Sequence, residues 1–426
     1  MQRAPDRPAD DDPVLLLGYR AVLLRACREL GLPTLTVYGI PQRDWGFEEP
    51  ELLDESICVE NHHLVDDVLF GLARHGLLDR PYRAVLTADE LGVVTAAAVA
   101  SVLGTRGLSA ATAIAFRDKP VQKTLVRRAG IATADFLLLE DVAEPPAELE
   151  AWTTFPAVLK PVASGGTADT SFVDSPEALA HAFEHLREHS PRRSFLLEGF
   201  NPGQEWNIDG FVAGGELALL AVEAYRENCL QTIASGRLIG SILFDPERER
   251  WVYELAEEFV STALRALGLH DGVFHLEAFW DGDRLVFGEC AARIAGGYHS
   301  EVVLHKWGVD LRRVAVQLAC GLARPEVTGP VTDDAVGFTF LPTVRGARLV
   351  RCPTREELRR VPNVVDATIE LSPGFEMPDT LWSTVVRTGL ALVAAPDEAS
   401  LERRMDEIID WFAREMVVEE PLRERA

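Results

Sequence analysis

The arms His275-Leu276-Glu277 and Phe287-Gly288-Glu289-Cys290, separated by Asp281-Gly282-Asp283, constrain this chain more than any other stretch. Aspartate-glycine between apolar runs is a hairpin signal, so two antiparallel strands are expected here. Side chains alternate along a strand, which puts Val273, His275, Glu277 and Phe279 on one face. On the return strand Leu285, Phe287 and Glu289 are expected to share a face. With the loop centred near Asp283, Glu277 and Glu289 oppose each other on a largely apolar surface. Two carboxylates about 4 Å apart repel by about 4 kcal/mol at an effective dielectric near 20. A shared proton or a divalent cation removes that cost, and all-oxygen ligands favour Mg²⁺ or Mn²⁺. The alternative is a solvent-facing hairpin whose two acids never meet.

The chain around this hairpin has 426 residues, enough for two or three domains with real cores. Its net charge of −25 argues against a nucleic-acid surface, because phosphate binding on that scale needs a clustered basic field. An anionic ligand must instead be held by a few local lysines, arginines or backbone N–H groups. Six cysteines (Cys27, Cys58, Cys229, Cys290, Cys320, Cys352) show no paired spacing, which fits reduced thiols of a cytoplasmic enzyme better than disulfides or zinc. Residues 1–12 lack the apolar core of a signal peptide and read as a disordered tail, and no apolar run approaches membrane-spanning length.

From Val14 onward strand and helix alternate: strands at Val14–Leu17, Thr34–Tyr38, Ile57–Val59 and Ala84–Leu86, helices at Ala21–Leu30, Leu64–His75 and Leu91–Leu103. That rhythm predicts a parallel, doubly wound sheet over residues 13–115. The first turn carries Gly18 alone, so the dinucleotide fingerprint is missing. Ala88-Asp89-Glu90, at a strand end, reads chiefly as a helix cap. A second segment, 116–330, opens with a helix at Lys119–Arg128. It continues through a strand ending Ala157-Val158-Leu159-Lys160, the glycine loop at Ser164-Gly165-Gly166-Thr167 and the strand-to-turn Glu198-Gly199-Phe200. Antiparallel strands follow at Glu205–Val212 and Glu216–Tyr225. Residues 331–426 close the chain with short strands and a helix at Ser400–Phe412.

The order of these pieces resembles the ATP-grasp superfamily. The resemblance implies an α/β (α+β) architecture with four parts: an N-terminal doubly wound pre-ATP-grasp domain, a small clamp subdomain (116–198), a large one (199–330) and a C-terminal cap (331–426). It also implies ATP and Mg²⁺ (or Mn²⁺) as cofactors. By this resemblance Lys119 and Lys160 are the nucleotide lysines, Gly165 and Gly166 cover the phosphates, and Glu198, Gly199 and Phe200 form the hinge beside the adenine. Glu205 meets the ribose, with Asn207 and Asp209 on the same strand face. Glu277 and Glu289 become the metal carboxylates. Arg293 grips the acyl phosphate or carboxylate, and Gly296 and Gly297 add backbone donors. His275 and His299 are within reach of substrate, although hydrogen-bonded structural histidines are the plainer reading and neither has metal-ligand spacing. Ala291 stands where the family places an asparagine metal ligand.

The activity implied is phosphorylation of a small carboxylate, an amino acid or its relative, followed by attack of an amine to give an amide, ADP and phosphate. A specialised biosynthetic role follows from the overall likeness. Bicarbonate activation of the biotin carboxylase type is the runner-up, disfavoured because Arg293 is followed by Ile294-Ala295-Gly296-Gly297-Tyr298-His299. A thiol acceptor and a non-catalytic ATP-binding protein complete the alternatives. The expected partners are the small carboxylate and amine, with no nucleic acid or membrane, and a homodimer as the default assembly.

Overall fold

The computed structural model describes residues 11–163, 169–190, 192–378 and 387–419. Strands β1 (Val14–Leu17), β2 (Thr34–Gly39), β3 (Glu55–Val59) and β4 (Ala84–Leu86) form an all-parallel sheet in the order β3-β2-β1-β4. Helices cover both faces, which is why β1 is an unbroken apolar run, buried throughout. Leu15 and Leu17 pack against helices Val65–Arg74 and Val93–Leu103. Val14 and Leu16 face helix Ala21–Glu29 and also Val316 of helix Leu311–Ala319 and Cys320 just after it, which come from much later in the chain. The doubly wound sheet expected from the sequence is present, and helix 311–319 ties it to the rest of the molecule.

Helix Lys119–Arg128 begins where the Asp118 carboxylate accepts the Val121 N–H (2.9 Å). Beyond it, β5 (Phe136–Leu139), β6 (Ala157–Pro161), β7 (Ser171–Val173) and β8 (Phe195–Gly199) make an antiparallel sheet, order β5-β8-β6-β7, covered by helix Pro176–His189. Residues 164–168, with Gly165 and Gly166 of the expected phosphate loop, lie outside the described residues.

The largest unit is an eight-stranded antiparallel sheet. It contains β9 (Gln204–Ala213), β10 (Glu216–Tyr225), β11 (Gly240–Leu243), β12 (Gly272–Trp280), β13 (Leu285–Ala291) and β14 (Ala335–Phe340). A short strand β15 (Arg348–Arg351) stands apart, and β16 (Val364–Ile369) and β17 (Gly389–Ala395) complete the sheet in the order β13-β12-β9-β10-β11-β14-β17-β16. Strands from beyond residue 331 thus extend the sheet that begins with the hairpin, and helix Glu398–Glu415 packs on them through Leu401, Met405 and Ile408. One sheet face is apolar: Trp206, Ile208, Leu276 and Phe287 bury against Val252, Ala256 and Val260 of helix Arg250–Leu267. The other carries Glu205, Asn207, Asp209, Glu223, His275 and Glu277, a polar strip inside an otherwise apolar protein interior.

The hairpin forms as expected, but its register contains a correction. Asp281 N–H reaches Arg284 O (3.2 Å), Gly282 takes φ +100°, and Trp280 pairs with Leu285. The turn is therefore centred before Asp283, and simple counting would set Glu277 against Gly288. A β-bulge intervenes: Ala278 pairs with Phe287, Gly288 is the extra residue, and Glu277 pairs with Glu289. The bulge changes faces, so Leu285 and Phe287 belong to the apolar core while Glu289 turns to the polar side with Glu277. The expectation that Leu285, Phe287 and Glu289 share a face fails for this reason.

Glycine is required at the bulge, since a Cβ on residue 288 would lie 2.8 Å from the Glu277 carbonyl oxygen. Gly288→Val should lower stability in urea unfolding by about 1–3 kcal/mol, the usual cost of overpacking. Unchanged stability would contradict a close approach at this point.

Candidate active site

The helix Lys119–Arg128 supplies more of the site than its sequence advertises. Lys119, Gln122 and Lys123, spaced i, i+3 and i+4, are all buried on one face. The Gln122 side-chain amide behaves like a strand neighbour of β13. It donates to Cys290 O (2.6 Å) and accepts from Cys290 N–H (2.9 Å), while also donating to Phe116 O (2.7 Å). This clamp fixes β13 against the helix, and Lys119 Nζ consequently lies 3.0 Å from Glu289 Oε2.

Lys123 was not singled out from the sequence. Its ammonium is fully buried, 3.1 Å from Glu198 Oε1 and donating to Gly288 O at 3.1 Å. Lys160, near the end of β6, lies 3.2 Å from Glu198 Oε2. One carboxylate on β8 therefore joins two lysines from different elements, and Lys123 also touches the bulge that presents Glu289. The signal available in the sequence was a second lysine one turn after Lys119, on the stripe that must face the core.

The charges shift as this burial requires. Burial lowers Lys123 to about 8, only partly offset by Glu198. Lys160 is also penalised by burial, but Glu198 and then Glu289 more than compensate and raise it. Burial would raise Glu289, yet Lys119 and Lys160 bring it to about 2. Glu205 is pushed up to about 8, first by burial and then by the Glu277 charge, although its Oε2 accepts the Cys229 N–H at 2.8 Å. Glu205 thus sits as a buried acid anchored to the start of helix Cys229–Ser235.

Further along the strip, His275 Nδ1 lies 3.1 Å from Asp209 Oδ2 and its Nε2 3.6 Å from Glu277 Oε1. Burial works against the His275 imidazolium, but Asp209 wins and raises it to about 10. His299, the first residue of helix His299–Trp307, contacts Glu223 Oε1 at 2.9 Å. Both histidines are hydrogen-bonded to buried carboxylates. Asn207, between Glu277 and Glu223 in register, is completely buried with neither side-chain amide atom partnered within the protein.

Arg293 leaves the end of β13 and pairs through Nε with Glu90, donating from Nη1 to Ile294 O (2.8 Å). Glu90 follows β4 of the parallel sheet, and Arg117 approaches its other oxygen at 3.7 Å. The helix-cap reading therefore fits Asp89, which accepts the Leu91 N–H (3.3 Å), but misses Glu90, which joins the site. Gly297 takes φ +69° and backs onto the Phe338 ring, while Gly296 has open space around it. At the hinge, the N–H groups of Gly199 and Phe200 are already used by Asp135 O and Pro156 O, both at 3.0 Å. Phe200 stacks edge-on to Phe172.

The residues present fit a hard divalent cation. Glu277 and Glu289 face each other from paired strands, both partly open to solvent. The neighbouring Glu205 is raised first by its burial and then by the Glu277 charge, so a second carboxylate lies close to the pair. A cation would offset it, with carboxylate oxygens as ligands.

Residues 153–301 match the ATP-grasp domain family. The L-arginine-specific L-amino acid ligase of Bacillus subtilis is 26% identical over 294 residues, 67% of this chain and 70% of that protein. Dapdiamide A synthase of Enterobacter agglomerans is 26% identical over 192 residues, covering 42% and 43%. The crystal structure of an L-amino acid ligase from Bacillus licheniformis superposes with a TM-score of 0.79 at 17% identity, spanning 97% of this chain and all of that one.

Two outcomes follow from the charge network. Lys123→Met should destabilise the protein by about 3 kcal/mol, because Glu198 loses a buried partner, and Lys123→Met/Glu198→Leu should recover part of that loss. Equal stability of wild type and single variant in urea would contradict the pairing. Glu205 has a folded pKa above its unfolded value, so its ionisation opposes folding as pH rises from about 4.5 to about 8. Glu205→Gln should therefore gain stability over the wild type through that window; a pH-independent difference would contradict the assignment.

Proposed function

We propose that this chain, which carries an ATP-grasp domain, is an ATP-dependent ligase that phosphorylates the carboxylate of an amino acid and joins it to an amine, releasing ADP and phosphate. The observation that carries this reading is the meeting of Lys119, Glu277 and Glu289 at the β12–β13 pair, with Arg293 four residues beyond Glu289 and held by Glu90. The names of two relatives, an L-arginine-specific L-amino acid ligase and a dapdiamide A synthase, support the same reaction class.

In this reading Lys119 and Lys160 hold phosphate oxygens, and Glu198 keeps Lys160 and Lys123 charged and aimed in a site where burial would otherwise neutralise them. Glu277 and Glu289 hold Mg²⁺, which when bound offsets the charge that builds on the transferring phosphoryl group. Arg293 grips the carboxylate oxygens with its planar fork, and Glu90 fixes the direction of that fork. Glu205 and the hinge at Glu198, Gly199 and Phe200 border the nucleotide, with the Gly165-Gly166 loop over its phosphates. Gly296, Gly297, His275 and His299 line the acid's side. Activation makes a poor electrophile reactive, and holding the amine beside it makes the second step effectively intramolecular. Division into a pre-ATP-grasp domain (13–115), a clamp (116–330) and a cap (331–426) is the accompanying architectural proposal.

A binding-only protein is the second reading, favoured by Ala291 at the position where the family supplies an asparagine ligand. The two are separated by incubating the protein with ATP, Mg²⁺ and amino acids, singly and in pairs, with mass spectrometry of the products. ADP and phosphate are expected only with particular acids or pairs, together with a condensed product. AMP and pyrophosphate, or no turnover despite ATP binding, would overturn the ligase reading. Glu289→Gln should keep the fold and reduce turnover by about 10²-fold, on the scale of losing one electrostatic contact to the transition state. Near-normal turnover would remove Glu289 from the metal site.

A further inference from the structure

The carboxyl ends of the four parallel strands converge on a group of residues that the ligase reading leaves unused. Gly18 follows β1, Gly39 ends β2, His62 and His63 lie just past β3, and Asp89 lies just past β4. In the order β3-β2-β1-β4 the connections leave β1 toward opposite sides, so the crevice where such sheets bind ligands falls between β1 and β4. Asp89 Oδ1 accepts the Leu91 N–H (3.3 Å), which leaves Oδ2 to meet His63 Nε2 at 2.9 Å and His62 Nε2 at 3.3 Å. The turn that presents the histidines is itself pinned. Asn61 Oδ1 accepts the His63 N–H (3.0 Å), and the Thr95 hydroxyl donates to His63 O (2.5 Å). Glycine makes room for the His62 ring on two sides: a Cβ on residue 18 would lie 3.0 Å from Nε2, and one on residue 39 would lie 2.8 Å from Nδ1.

Two imidazole nitrogens and one carboxylate oxygen thus lie within 4.8 Å of one another. A tetrahedral zinc ion with bonds of about 2.0–2.2 Å holds its ligand atoms roughly 3.3 Å apart, close to the spacing of Oδ2 from both rings. His62 is buried, and its Nδ1 has no hydrogen-bond partner among the described residues. No bond behind the ring therefore obliges Nε2 to carry the proton, and its lone pair is free to face a cation. The side chains of His63 and Arg20 are 26% and 49% exposed, so water reaches a fourth position. Imidazole nitrogen suits Zn²⁺ and the neighbouring transition ions better than Mg²⁺, which sets this cluster apart from the all-oxygen pair Glu277 and Glu289. We propose that His62, His63 and Asp89 form a second metal site, which takes a transition ion of the zinc class with water as its fourth ligand. The ion ties the loop after β3 to the loop after β4, whose next residue, Glu90, holds Arg293. Arg20 Nη2, 3.7 Å from Asp89 Oδ2, is the competing cation, and its exposure lets it swing away. This site goes beyond the ligase reading and does not rest on it.

Calorimetric titration of the full, chelator-treated chain with Zn²⁺ tests this, in excess Mg²⁺ so that the carboxylate pair is filled. The wild type should bind zinc at a single site. His63→Gln and Asp89→Asn should each weaken that binding at least about tenfold, the scale on which even the groups behind a metal ligand act. Asparagine still caps the Leu91 N–H, and His63 is partly exposed, so neither variant depends on a rebuilt core. Arg20→Gln, which removes the competing cation, should tighten zinc, an outcome that a purely structural hydrogen-bonded trio does not produce. Zinc should also raise the Tm of the wild type and leave that of His63→Gln unmoved, because only a folded chain that binds the ion is stabilised by it. Cobalt in place of zinc should show visible d–d absorption with no thiolate charge-transfer band. No zinc binding by the wild type, or affinity unmoved by both His63→Gln and Asp89→Asn, would overturn the site. A thiolate band would move the ion to the cysteines, and loss of zinc in Glu289→Gln alone would move it to the carboxylate pair; either would overturn it too. None of these readouts uses ADP release, so a failure of the ligase reading leaves this test intact.

Discussion

The site depends on one buried ionic lattice: Lys123 and Lys160 on Glu198, and Lys119 on Glu289. Moving such charges out of water costs several kcal/mol each, and the cost is offset only when every charge meets a partner in good geometry. Here the partners come from four separate pieces of chain: the helix 119–128, strands β6 and β8, and the bulged strand β13. The lattice therefore links folding to function, because the small sheet, the helix and the hairpin must all be in place before any of the five charges is tolerable. It also keeps ammonium groups charged where burial alone would lower their affinity for the proton.

Two unobtrusive residues hold this lattice to the backbone. Gln122 pairs with both backbone groups of Cys290, acting as one rung of a ladder beside β13. Gly288 supplies the bulge that turns Glu289 toward Glu277 and gives its carbonyl to Lys123. Both are positioning residues. The chemistry proposed for Lys119, Glu277, Glu289 and Arg293 rests on them, in the same way that Glu90 of the N-terminal sheet sets Arg293.

Much of this was legible from residue order. The parallel sheet, the helix 119–128 and the strand pair expected at Glu205–Val212 and Glu216–Tyr225 follow from apolar periodicity and turn residues, and the structure has them. The pairing of Glu277 with Glu289 was also anticipated, but through a loop centred half a residue too late, and the bulge supplied the missing step. A bulge at glycine leaves no periodic signature, so the faces of Leu285 and Phe287 were misassigned. Lys123, Gln122 and Glu90 were missed because each looks like an ordinary polar surface residue until a distant strand covers it. Their partners lie 75, 168 and 203 residues away, beyond the reach of local pattern.

The central claim is that the acid's carboxylate, and no other group, receives the phosphoryl group. Supplying the amino acid with ¹⁸O in its carboxylate and analysing the released phosphate tests that directly. The account predicts one ¹⁸O transferred to phosphate per amide formed, since the carboxylate oxygen that attacks the γ-phosphorus departs with it. Unlabelled phosphate would reduce the reaction to ATP hydrolysis, and label recovered in AMP would assign an adenylate in place of an acyl phosphate; either result would contradict the account.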